Sequence, residues 1–277
     1  MTGLSGRKWV KVAAAILAAI VLAAAAIFIV ATKPFRDDSR IEVPPRQTFT
    51  RGPYYAYVAP WGGESSILTR AWSGRADSMA IDLHAYPDNT RVNWRWPPFS
   101  PRNGLGVWGY DHIGYGFYDG GQPEQPVPAR RVGEIRKLDA QYRWDGDFGW
   151  GEATVLLEFY LRSNPKDSEA KVIEIGWLLH VPEKTRRFLE SGREIGTYRD
   201  RKGQEWRVVL KDKYCTFSLA NGADSHSGTV DVAAALAWLK GKGLVRDDLW
   251  LTGLAMGAEP VSGAGNVEIA RWHVDWP

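Results

Sequence analysis

The chain opens on an unbroken apolar run, Val12–Ala31, and never returns to one of that length. From Tyr54 onward it alternates instead, in short stretches where apolar and polar residues exchange every second position, broken by Gly, Pro, Asn and Asp. A period of two is the signature of a strand with one buried face. It predicts strands at Ser78–Ala85, Arg91–Trp96, Lys137–Trp144, Ala153–Leu161, Val172–His180, Glu205–Leu210, Lys213–Leu219, Leu249–Met256 and Val267–Val274. Many short strands without crossover helices between them predict an all-β, two-sheet antiparallel sandwich. One stretch breaks the rule. Asp231–Lys240 places Val232, Leu236 and Leu239 on one stripe, with Thr229 or Asp231 to cap its start and Gly241 and Gly243 to end it. It predicts a single amphipathic helix against the β body. The Gly- and Pro-rich segment Trp108–Arg131, with Tyr110, Tyr115, Phe117 and Tyr118, reads as a loop that could rim a groove or simply cover the surface.

Three segments follow. Residues 1–33 carry the apolar run, flanked by Arg7, Lys8 and Lys11 before it and Lys33 and Arg36 after it. Twenty apolar residues are enough to span a bilayer, whereas the core of a signal peptide usually runs roughly 7–15. That length predicts an uncleaved membrane anchor with the basic N-terminus inside and the remainder exported to the periplasm or the extracellular space. Small residues at the end of the run leave a cleaved signal and a secreted protein as the alternative. Residues 34–53, with Pro34, Pro44 and Pro45 among mixed charges, read as a tether. Residues 54–277 form the predicted sandwich.

Composition sharpens this picture in two places. Trp accounts for 14 of the 277 residues, more than a core of this size requires. Indole rings stack on the apolar faces of sugars, so the excess favours a carbohydrate groove, although each ring taken alone is as readily a core residue. The net charge of +3 is too balanced to argue for nucleic acid. The single cysteine, Cys215, excludes an internal disulfide and has no partner for a thiolate metal motif. A buried, inert thiol is expected there.

The candidate chemistry lies in acidic residues inside strands. In Lys171–Leu179 the residues Ile173, Ile175, Trp177 and Leu179 share one face, which leaves Glu174 on the other between Val172 and Gly176. A carboxylate beside such neighbours costs several kcal/mol to desolvate unless it is paired or used. Gly176 is expected to leave open space next to it. Glu259 ends a face of small residues, Gly253, Ala255 and Gly257, over which a flat substrate could lie. A connection symmetric about Lys166 would set Glu158 directly opposite Glu174, about 5 Å apart at Cβ. One proton would then be held or shared between them. Two carboxyl groups in one cleft are what glycoside hydrolysis uses.

These residues resemble glycoside hydrolase family 12, the small retaining endoglucanases and xyloglucanases with a jelly-roll fold. Leu157-Glu158-Phe159-Tyr160, a loop and Glu174-Ile175-Gly176-Trp177-Leu178 stand where the family has Tyr-Asp-Leu-Phe, a loop and Glu-Leu-Met-Ile-Trp. Met256-Gly257-Ala258-Glu259-Pro260 stands for its Phe-Gly-Thr-Glu-Pro. Gly203-x-x-Trp206, Trp94-Arg95-Trp96 and Pro60-Trp61-Gly62 look like further family elements. The resemblance covers roughly Tyr54 to Trp276. It implies Glu174 as nucleophile, Glu259 as acid/base and Glu158 as the residue supporting the nucleophile, with Trp61, Trp94, Trp96, Trp177 and Tyr110 as candidate substrate contacts. It implies a β-linked polysaccharide or oligosaccharide substrate, endo-acting hydrolysis with retention, no metal or organic cofactor, and a monomer. The chain departs from the family at Gly176 and Leu178, where the family has Met and Trp, at Glu158 for Asp, and at Ala59 for Asn. These changes put the sugar specificity in question. A non-catalytic glycan-binding sandwich and a structural envelope protein remain rival expectations.

Overall fold

The computed structural model describes residues 4–31, 33, 39–61, 70, 72–102, 104–119 and 126–276. Gly62 of the Pro60-Trp61-Gly62 element, residues 34–38 of the expected tether and residues 120–125 of the Gly- and Pro-rich segment lie outside that set.

Two units are present, divided after Pro34. The first is helix α1 (Leu4–Ala31). Its stretch Lys8–Ile29 is long and apolar enough to cross a membrane, and Ile16, Leu17, Ile20, Val21 and Leu22 are exposed along it. It fits a membrane span or a signal segment.

The second unit is a β-sandwich. The smaller sheet holds, in spatial order, β1 (Ile41–Val43), β4 (Asp77–Ile81), β5 (Thr90–Arg95), β17 (Ala264–Asp275), β8 (Asp139–Asp147) and β14 (Ser227–Asp231). The larger sheet runs β11 (Arg193–Arg199), β12 (Glu205–Lys211), β13 (Tyr214–Leu219), β10 (Lys171–His180), β9 (Glu152–Arg162), β16 (Gly253–Ser262), β6 (Asp111–Gly116), β3 (Tyr54–Tyr57) and β2 (Thr48–Arg51). Two short strands, β7 (Arg130–Arg131) and β15 (Trp250–Leu251), pair with each other beside β9. Pairing is antiparallel except between β10 and β13, which run parallel. All nine predicted strands are present, although Leu249–Met256 is split into β15 and the start of β16.

Three differences from the sequence reading matter. Within the expected tether, 41–43 and 48–51 are strand: β1 pairs with β4 and β2 with β3, and Pro44-Pro45 with Arg46 at φ 62 form the turn between them. The expected loop after Trp108 contains β6, which sits inside the larger sheet between β16 and β3. Its alternation is hidden because its outer face carries His112, Gly114 and Gly116; a Cβ on Gly114 would lie 2.0 Å from the Tyr55 ring. A second short helix, α2 (Glu183–Glu190), follows β10 after Pro182 and buries Thr185 and Leu189 four residues apart. The predicted helix is α3 (Val232–Gly241), capped by Asp231, whose Oδ1 accepts from the Ala234 N–H at 2.9 Å. Gly241 is its last residue, and Gly243, at φ 72, makes the reversal.

The core between the sheets is aromatic. Trp94, Trp96, Trp108, Trp144, Trp177 and Trp272 are almost fully enclosed. Trp96 stacks on Trp108 with centroids 4.6 Å apart, and Trp177 stacks on Phe217 at 4.4 Å. Offset pairs of this kind add about 0.5–1.5 kcal/mol beyond their buried area. Trp94, Trp96 and Trp177 are therefore structural here and do not line the cleft, which corrects the expectation that they touch substrate. Cys215 is buried, and burial pushes its thiol up to about 12, so it stays protonated.

Candidate active site

The outer face of the larger sheet carries the acids. On β9 the even positions Thr154, Leu156, Glu158, Tyr160 and Arg162 point to this face, while Val155, Leu157, Phe159 and Leu161 point into the core. Glu174 comes from β10 on one side of β9, and Glu259 from β16 on the other. All three glutamates line one cleft of about 430 Å³, together with Tyr57, Trp61, Leu105, Tyr110, His112, Tyr118, Asp119 and Tyr160. Trp61 is 46% exposed at its edge and Tyr110 is buried in its wall. Of the aromatic candidates from the sequence, the structure brings these two to the acids.

The register differs from the expected one. Glu174 lies opposite Tyr160, and Glu158 lies opposite Gly176. The connection closes one position off the symmetric register, at Ser163 and Ala170, and a bulge between Lys171 and Ile173 adds one more; the even total keeps both glutamates on one face. They meet diagonally instead of face to face. Gly176 does not leave open space either. The Tyr214 ring fills it, and a Cβ there would lie 2.8 Å from the Tyr214 hydroxyl.

The surroundings set the protonation of each acid. Burial and then the charge of Glu174 hold Glu158 well above the ordinary carboxyl range. Its Oε1 accepts from the Tyr118 hydroxyl, and its Oε2 accepts from the Tyr214 hydroxyl at 3.3 Å. Glu174 is raised by burial, but hydrogen bonds from Glu158 and from Tyr160, whose hydroxyl is 3.1 Å from Oε1, oppose that rise. A protonated Glu158 donating to an ionised Glu174 satisfies both directions. Glu259 is pushed up to about 8, first by burial and then by the Glu174 charge, so it keeps its proton at neutral pH. Along β9 the partners of Glu174 and Glu259, Tyr160 and Thr154, are six residues apart. That is about 20 Å along a straight strand, yet both line the one cleft and the charge of Glu174 still acts on Glu259.

Sequence reasoning missed four contributors. Tyr160 was legible, because it shares the period-two face of Glu158. Tyr118 lay in the segment read as a loop; Arg162 holds it, donating to the Tyr118 carbonyl at 2.6 Å and to Thr252 Oγ1 at 2.9 Å. Tyr214 sat in a strand whose depth only the fold reveals. His112 had no signal. Its Nδ1 lies 2.8 Å from the Tyr110 carbonyl, its Nε2 is buried without a hydrogen-bond partner, and burial drops it to about 4, so it is neutral near pH 7. The Tyr110 hydroxyl is also buried and unpartnered. Two such polar atoms on a cleft wall suit a ligand rich in hydroxyl groups. Among the described residues, no cluster of His, Cys, Asp or Glu is arranged to hold a metal ion.

No family model matches the chain, and no curated protein sequence matches it. Solved structures do. The endoglucanase 3 of Trichoderma harzianum, from family GH12, superposes with a TM-score of 0.64 at 16% identity, over 87% of this chain and 99% of that one. A native family 12 xyloglucanase from Bacillus licheniformis gives 0.65 at 16% identity, over 84% and 99%. Endoglucanase cel12A from Rhodothermus marinus gives 0.66 at 17% identity, over 84% and 97%. The sandwich described above is thus the jelly roll of the family 12 glycoside hydrolases, carried by a sequence that shares less than a fifth of its residues with them.

Proposed function

We propose that the chain is a retaining glycoside hydrolase of β-linked glycans. Glu174 attacks the anomeric carbon, and Glu259 gives its proton to the leaving oxygen. Glu259 then takes a proton from the water that releases the glycosyl-enzyme. Glu158 positions Glu174 by donating a hydrogen bond, and Tyr160 holds the same carboxylate from the other side. Trp61 and Tyr110 offer an apolar ring and a hydroxyl to the sugar. The observation that carries this reading is the opposed environment of two acids in one cleft. Burial raises both, but Glu259 reaches about 8 and keeps its proton, while hydrogen bonds from Glu158 and Tyr160 oppose the rise of Glu174. The reading calls for no metal or organic cofactor and for one copy of the chain. Helix α1 would hold the sandwich outside the cytoplasm as an anchor, or would be removed as a signal.

A screen of β-glucans and aryl β-glycosides tests it. Turnover should occur with retention, as read from the first anomer formed by proton NMR, and should vanish in Glu174→Ala. Retention requires carboxyl groups about 5–5.5 Å apart. The six-residue offset along β9 favours one other reading, a glycan-binding module that kept the fold. Binding of the same glycans without any turnover would establish that reading instead.

A further inference from the structure

Among the described residues, the site face is lined by the cleft on one side of the acids and covered on the other. Toward β6 and β3 the cleft is lined by His112, Tyr57 and Trp61. Beyond Glu174 the sheet continues through β13 and β12, where Ser218, Lys211 and Arg207 share its face and are half-buried, while Tyr214, Thr216 and Val209 on the same face are buried. Helix α2 covers them. Its Phe188 and Leu189 join one apolar cluster with Leu156, Leu178 and Tyr214, all on the site face. The Lys211 ammonium lies 5.1 Å from the Phe188 ring centroid, and a Cβ on Gly192 would stand 2.6 Å from Val209, so the end of the helix is pressed onto β12. Thr185 Oγ1 lies 3.0 Å from Thr154 Oγ1, with both residues buried, which pins the helix to β9 opposite Glu259. Lys184 reaches Ser100, and Leu105 belongs both to this cluster and to the cleft wall. The wall therefore begins one strand from Glu174.

An enzyme that cuts within a polymer must let the chain leave the acids on both sides. We infer that this cleft is instead a blind pocket that receives the end of a β-linked glycan or a short oligosaccharide and releases small units from a terminus. The inference rests on the glycosidase reading above and replaces the mid-chain attack expected from the sequence. The 430 Å³ of the cleft is sized for about two sugar rings, near the low end of the roughly 300–1,000 Å³ that small-molecule sites enclose.

The test uses the full chain, a soluble β-glucan polymer and a series of β-linked gluco-oligosaccharides of increasing length. With a blind pocket, one short product accumulates from the first time points while viscosity falls slowly. Over the same series kcat/KM stops rising, to within about twofold, once the pocket is filled, because added units find no contacts. Rapid loss of viscosity with a ladder of products overturns the inference and leaves the hydrolase reading intact. Binding without cleavage removes the hydrolase reading alone. The length series then decides by calorimetry: an affinity that levels off at short lengths supports the pocket, and one that grows with every added unit overturns it. Failure to bind or cleave any β-glycan removes both.

Discussion

Two groups of buried acids flank the larger sheet, one between the two sheets and one on its outer face, and they differ in access more than in electrostatics. Asp111 on β6 points into the sandwich, where its charge acts on Asp77 of the smaller sheet. Burial raises both, Asp111 to about 8. Asp77 accepts from the Trp96 indole at 2.6 Å, and Asp111 from the Ala59 N–H at 2.9 Å. Glu158, Glu174 and Glu259 on the outer face are raised for the same first reason, burial, yet they line a cleft. A raised carboxyl alone therefore does not mark a catalytic centre in this molecule. What separates the groups is access: one lines a cleft, while Trp96 and two sheets enclose the other, where Asp77 Oδ2 and Asp111 Oδ2 are themselves buried without a hydrogen-bond partner. The inner pair is a structural tie whose protonation affects stability, and the outer trio is positioned to affect rate.

The comparison would break most visibly at Glu174. Glu174→Ala should abolish turnover on any substrate found, and azide or formate should partly restore it on aryl glycosides by filling the vacated space. A variant that keeps wild-type turnover would deny the outer trio its role. Glu259→Gln should cost about 10²–10⁴-fold in kcat on substrates with poor leaving groups and far less on activated ones. It should also remove the alkaline limb of the pH–rate profile near 8, since that limb requires the Glu259 proton.

Smaller effects sharpen the contrast. Asp111→Asn should leave kcat nearly unchanged while altering stability. A carboxyl whose folded pKa is raised binds its proton more tightly in the folded state, so stability declines as pH climbs from the unfolded value of 3.8 through about 8. Between pH 6.5 and 8 the wild type should therefore lose thermal stability, and the Asn variant should lose less. At pH 8 the variant should be more stable by about 1–3 kcal/mol. His112 works in the other direction, favouring the folded state above 6.5 and weakening it as pH falls toward 4, so the window above 6.5 isolates the carboxyls. A stability that rises from pH 6.5 to 8 would contradict the assignment. Tyr118→Phe removes one donor to Glu158 and should lower kcat about 3–10-fold with a displaced acidic limb, the worth of one net hydrogen bond. An unchanged pH profile would make Tyr118 a packing residue. Least of all should happen on deleting residues 1–37: the melting temperature of the sandwich should stay the same, and a fall of several degrees would show that α1 contributes to it.

Much of this was legible before any fold was known. Strands buried on one face announce themselves through a period of two, so β9, β10 and β16 and the faces of Glu158, Glu174 and Glu259 could be read directly. An even register slip preserves such faces, which is why the wrong pairing of Glu158 with Glu174 still placed both on one side. Segments whose outer face holds glycine, histidine or aromatic rings in place of simple polar residues carry no such period, and β6, with His112 and Gly114, looks like a loop in the sequence for that reason. Pro44-Pro45 likewise disguised a turn between two sheet strands as a tether. The abundance of tryptophan pointed to sugar, but most of these rings are the core. Composition counts indoles and does not say which way they face.

Strand periodicity, the helix start and stop signals, and the face each acid takes on its own strand can be read along the chain, because each depends on residues a few positions apart. Depth and enclosure come from the fold. Burial is set by what packs above a residue, and for Glu158 that is Tyr118 and Tyr214, some forty and fifty-six residues away in the chain. The same holds for the wall. Eight residues of α2 lie over part of the site face only because the fold lays them on β12, β10 and β9, and no local pattern in those eight records where they land.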